Sequence, residues 1–208
     1  MSGGERREQI IDAALSLFAE HGLRCTTRQL AEAAGISEAA LYLHFETKDA
    51  LFEAIVRRKA AQASELEERL KGMLEEPPRR VFEEVGRTVL ETHTADPTFL
   101  RLLLHSGLER HALFQTYFQV HVRESAAILT AYVERQQREG TFRPCDSRLA
   151  VRAFMGMLFH HLLMQEVFEV SLLGTFAPAE AATFFATCFL DGMCGSGTSG
   201  DGEEAACA

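Results

Sequence analysis

The residues best spaced for chemistry in this sequence lie between Thr27 and Lys48, TRQLAEAAGISEAALYLHFETK. The chemistry they suit is docking against a surface, with no bond made or broken. Leu30, Ala31 and Ala34 fall on one face of a helix, and Ile36, Leu41 and Phe45 continue that apolar side across a turn and into a following helix. The alanines let two helices approach closely and Gly35 makes the turn between them, which is the physics of a helix-turn-helix. Left outward on the second of the two helices are Glu38, Ala39, Ala40, Tyr42, Leu43 and His44. A short helix with small residues in its first turn can enter a DNA major groove without clashing with base edges.

Other chemistry finds little to work with. The cysteines at 25, 145, 188, 194 and 207 form no CxxC and no metal-ligand spacing, and their odd number points to free thiols in a reducing cytoplasm. His160 and His161 are adjacent, so on a helix they point about a hundred degrees apart and do not make an i, i+4 ligand pair. No nucleophile–base pairing, carboxylate cluster or glycine-rich phosphate loop stands at a useful spacing. Neither catalysis nor a metal or cofactor is therefore expected. The longest apolar run, Ala153 to Met164, contains both histidines and is too short to span a bilayer.

Every element that must position these residues reads as helix, with about nine helices expected and no β-period segment. Ile10, Ala13, Ala14, Leu17, Phe18 and His21 form an amphipathic stripe stopped by Gly22. Thr26 and Gln29 give a capping-box signal, Ser37 is a good N-cap for the third helix, and Thr47 caps a long fourth one. Pro77-Pro78, Pro97, Gly140 and Pro178 punctuate the remainder. The pattern predicts helices over Arg79–His93, Thr98–Leu104, Leu113–Glu139, Ser147–Phe168 and Pro178–Asp191. The domains expected are 1–52 for the helix-turn-helix, 53–193 for a helical bundle, and 194–208 as a disordered tail.

The N-terminal 55 residues resemble the DNA-binding domain of the TetR family of transcriptional regulators. That family's "ALxLFAExG", "TTxxxIAxxAGxS" and "LYxHFxxKxxL" patterns stand here, without gaps, at Ala14–Gly22, Thr26–Ser37 and Leu41–Leu51. The resemblance implies a DNA-binding set of Thr27, Arg28, Ser37, Glu38, Ala39, Ala40, Tyr42, His44 and Lys48. Thr27, Tyr42, His44 and Lys48 would hold phosphates, Arg28 a phosphate or a guanine edge, while Glu38, Ala39 and Ala40 would face bases. Ala39 stands where members frequently carry glycine, and the alanine methyl holds the backbone slightly further from DNA. The resemblance also implies a dimeric all-α regulator with a C-terminal ligand-binding bundle: a repressor released from operator DNA by a small apolar inducer.

Charge gives this no help. Residues 1–60 carry 8 Lys/Arg against 9 Asp/Glu, within a net charge of −9 for the chain. Binding must then rest on a few placed cations. An alternative is a helical protein-interaction module whose helix-turn-helix no longer reads DNA. In the C-terminal part, the apolar surface of the last two helices exceeds what one core needs, which predicts a homodimer through Phe154, Leu158, Leu162, Phe184, Phe185, Cys188 and Phe189. Candidate inducer-pocket residues are Phe99, Leu103, Phe114, Phe118, His121, Met157, His160 and His161.

Overall fold

The computed structural model describes residues 3–111, 115, 122–170 and 173–194, apart from the side chains of 62, 63, 65 and 66. Among them it is all-α. The helices are α1 (Gly3–His21), α2 (Thr27–Ala33), α3 (Glu38–His44), α4 (Lys48–Gly72), α5 (Pro78–Ala95), α6 (Thr98–Leu108), α7 (Arg123–Arg138), α8 (Ser147–Leu162) and α9 (Pro178–Met193). A 3-10 turn, Gly22–Arg24, follows α1, and a π-helical turn, Leu163–Val167, follows α8. The π turn ends the regular helix several residues before Phe168, where periodicity alone placed its end. The expected helix start near Leu113 and the expected tail lie outside the described residues, except for Cys194.

Two compact units emerge. One takes the described residues up to Ser64 and those from Asp96 to 115; the other takes Glu65–Ala95 and those from Val122 onward. In the first, α1 to α3 and the start of α4 close on Ile10, Phe18, Leu30, Leu41, Phe45, Leu51, Phe52 and Ile55. A segment distant in sequence completes this core: α6 packs against α1 and brings in Phe99, Leu102 and Leu103. The Phe18 and Phe52 rings meet edge to face at 6.0 Å.

The local signals act as their chemistry requires. The Thr26 backbone N–H donates to Gln29 Oε1 at 2.8 Å while its hydroxyl accepts from the Gln29 backbone at 3.2 Å, a complete capping box. Gly35, at φ +66°, turns α2 into α3, and the Ser37 hydroxyl accepts from the Ala40 N–H at 3.1 Å. Gly22 also sits at φ +66°, and a Cβ there would lie 3.0 Å from Glu109 Oε1 and 3.3 Å from His105 Nδ1. Gly22→Ala is therefore expected to cost about 1–2 kcal/mol, the left-handed backbone penalty for a residue with a Cβ. Urea denaturation reads it, and an unchanged midpoint contradicts it.

The second unit is built around aromatic rings. Phe82 of α5 meets Phe189 of α9 at 4.6 Å, Phe154 of α8 at 5.0 Å, Tyr132 of α7 at 6.1 Å and Phe142 at 6.3 Å. Gly86 lets α5 and α9 approach until a Cβ on it would stand 3.3 Å from the Ala182 methyl. The buried Tyr132 hydroxyl donates to the Glu76 carbonyl at 2.8 Å, and burial pushes its pKa up to about 12.

Candidate nucleic-acid interface

The outward face of α3 follows from what its other face must cover. Leu41 and Phe45 are buried against α1 and α2, which leaves Glu38, Ala39, Tyr42 and Leu43 on the exposed side. Ala40 and His44, expected outward, are half-buried, because seven residues of helix turn them toward the flank of the packed face. Tyr42 is 49% exposed and Leu43 86%, so a large apolar side chain stands in solvent on the helix that would read DNA. Leu43 was visible in the sequence as outward, but nothing local marked it as a contact.

Thr27, Tyr42, Phe45, Thr47 and Lys48 line one shallow depression where α2, α3 and α4 begin or end. The side chains of Thr27, Thr47 and Lys48 already have protein partners. The Thr27 hydroxyl donates to a Glu38 carboxylate oxygen, which ties the first residue of α2 to the first residue of α3. The half-buried Lys48 ammonium donates to the Leu23 carbonyl and, at 3.3 Å, to that of Cys25. Those carbonyls close the 3-10 turn, so the cation serves acceptors that the short turn leaves without helical donors. The neighbouring Cys25 thiol is pushed up by burial, an effect Lys48 opposes.

Arg28 is exposed at the second position of α2. A further cation escaped the sequence reading: the Arg7 guanidinium lies over the Phe45 ring, 4.6 Å from its centroid. It joins the start of α1 to the end of α3, a juxtaposition no local spacing reveals.

In the second unit the expected dimer residues divide. Phe154, Leu158 and Leu162 are fully buried and Phe189 nearly so. They face inward, because α5 covers that side of α8 and α9 with Phe82, and this corrects their assignment to a dimer surface. Phe184 is 63% exposed, Cys188 is exposed and Phe185 half-buried; Leu149 and Phe159 of α8 are exposed as well. The expected pocket residues are scattered. Phe99 and Leu103 are committed to the core of the first unit, and Phe114, Phe118 and His121 lie outside the described residues. On α8, Met157 is half-buried and His160 exposed. His161 meets Phe185 at 5.5 Å and Phe176 at 6.5 Å, and burial holds its imidazole below the ordinary value against the pull of Glu166.

Residues 10–55 match the family described as "Bacterial regulatory proteins, tetR family". The head belongs to the TetR family. Over 100 residues the chain is 38% identical to the HTH-type transcriptional repressor AcnR of Corynebacterium glutamicum, covering 45% of this chain and 53% of that protein. The chain thus spans about half the length of the curated relatives it matches first. Two solved TetR-fold structures superpose over nearly the whole chain. The ketosteroid regulator KstR2 of Mycobacterium tuberculosis does so at a TM-score of 0.74 and 19% identity, covering 92% of this chain and 96% of that one. FadR of Bacillus subtilis, in complex with stearoyl-CoA, gives 0.67 and 18%, covering 89% and 98%. At those identities the two share the fold with this TetR head and its bundle.

Proposed function

We propose that this chain is a homodimeric transcriptional repressor, cytoplasmic, whose heads bind operator DNA and release it when a small apolar molecule binds. The observation that carries the reading is the exposed face of α3, Glu38, Ala39, Tyr42 and Leu43, held by a capped helix pair in a head of the TetR family. Arg28 is an exposed cation at the start of α2, the Arg7 guanidinium lies over the Phe45 ring at the end of α3, and Thr27 and Ser37 stand at the helix starts. Two-fold pairing through the exposed Leu149, Phe159, Phe184 and Cys188 would bury an apolar face and set two heads about one or more DNA turns apart, roughly 34–36 Å per turn. The release half leans on the likeness to FadR, whose solved complex holds an acyl-CoA.

Gel-shift with DNA flanking the chain's own gene tests this at low salt. The wild type is expected to bind as a dimer, and Arg28→Ala to weaken binding and lower the slope of log affinity against log salt by about 1. No shift by the wild type would favour the protein-interaction module. If no apolar compound displaces the DNA, the release half fails and the binding half stands.

A further inference from the structure

The second unit holds a small cleft where the turn after α4 meets α5 and α9, with a volume of about 190 Å³. That admits a small molecule and falls below the roughly 300–1,000 Å³ of drug-sized ligand sites. Ala182, buried against Gly86 of α5, and the half-buried Met73 give its apolar lining. Its charges come from one stripe of α5: Arg80, Glu83, Glu84 and Arg87 recur at i, i+3, i+4 and i+7. Glu84 is neutralised within the protein, since it accepts from both Arg69 and Arg87. Burial works to raise its pKa, yet the two arginines hold the carboxyl below its ordinary value. Glu83 is held less firmly. Among the described residues its ion pair is a long contact of 3.5 Å with Arg79, whose guanidinium also reaches the Thr187 hydroxyl at 3.3 Å.

The other wall gives the cleft a direction. Arg79 reaches Thr187 while Gly86 meets Ala182, so α5 and α9 run antiparallel and the start of α9 lies level with Arg87. Ala177, at the N-cap of α9, supplies no side-chain acceptor to the first-turn N–H groups, and Ala179 of that turn lines the cleft. One end therefore offers a guanidinium and the positive end of a helix dipole, and one turn away stand the Glu83 carboxylate and Thr183. A wholly apolar ligand would strand these charges away from water, a dianion meets Glu83 and Glu84, and a dication meets Arg80 and Arg87. We propose that the cleft binds a small zwitterion of the α-amino-acid class, its carboxylate at Arg87 and the start of α9, its ammonium at Glu83, and its apolar side chain against Met73 and Ala182. The site lies within the second unit alone. Phe184 and Cys188, of the pairing surface proposed above, fall on a different face of α9 from Ala179 and Thr183, so a dimer leaves the cleft open.

Calorimetric titration of the full chain with three matched probes tests this: L-leucine, leucinamide, which lacks the carboxylate, and N-acetyl-leucine, which lacks the ammonium. Leucine is expected to bind, and each single-charge analogue to bind about tenfold more weakly or worse, because each leaves a charged hydrogen bond unmade. Glu83→Gln should weaken leucine by a similar factor and remove its advantage over N-acetyl-leucine. Arg87→Gln should instead remove its advantage over leucinamide. Both side chains are partly exposed and their ion pairs lie at the surface, so the urea midpoint of each variant should stay at the wild-type value. The proposal is overturned if leucine gives no binding heat with the wild type, if the three probes bind equally, or if both variants bind leucine as the wild type does. Each of these outcomes leaves the DNA-binding reading standing, since gel-shift decides that separately.

Discussion

Phe82→Ala is expected to destabilise the second unit by about 3–5 kcal/mol. The ring has no solvent exposure, and four other aromatic rings stand within 4.6–6.3 Å of it, contributed by α7, α8, α9 and the turn at Phe142. Removing it takes away both the transfer energy of a buried benzyl group and the dispersion contacts of every ring around the void. Collapse to fill the void is resisted because Phe154 and Phe189 are fixed by their own helices and already touch each other at 5.2 Å. Phe82→Leu, which retains much of the volume, should lose far less. Urea unfolding followed by circular dichroism gives both values. A loss under about 1 kcal/mol for alanine would mean that the rings do not form the packed core described here.

The head was legible because its signals are local. A capping box needs two residues three apart, a tight turn needs one glycine, and an apolar stripe needs a helical period, so Thr26, Gln29, Gly35, Ser37 and Leu41 could be placed from spacing alone. The partners of those residues were less legible. Arg7 over Phe45, Thr27 on Glu38 and Lys48 on the turn carbonyls each join positions 11 to 38 residues apart, and no periodicity encodes such contacts. The same limit misassigned Phe154, Leu158 and Leu162. A helix apolar on two sides must be covered twice, but the sequence does not say which side its own neighbours cover. In α8 the side facing α5 is the one the pattern had assigned to a partner. Likewise, nothing in Thr98–Leu108 announces that its apolar stripe closes the core of the head.

Lys48→Met is expected to lower the stability of the head by about 1.5–3 kcal/mol, the range for hydrogen bonds to a charged group, and to leave the salt slope of DNA binding unchanged. Methionine retains the apolar stem of the half-buried side chain, so the loss isolates the ammonium. That ammonium donates to the carbonyls of Leu23 and Cys25 at the end of the 3-10 turn, and Cys25 is itself buried, which limits how far water can replace the lost donor. Family resemblance would give the same lysine to a DNA phosphate. The two roles separate cleanly in measurement. Loss of a phosphate contact lowers the slope of log affinity against log salt by about 0.9 with little change in unfolding, whereas loss of the internal donor moves the urea midpoint and not the slope. A lowered slope at unchanged stability would show that the ammonium leaves the carbonyls for DNA. The internal role also links Lys48 to recognition through geometry. The turn it holds leads directly into the Thr26 capping box, that box fixes the start of α2, and the first residue of α2 is the Thr27 that holds Glu38. Any loss of affinity in Lys48→Met should therefore come with a lowered urea midpoint, an effect that a missing phosphate contact would not produce.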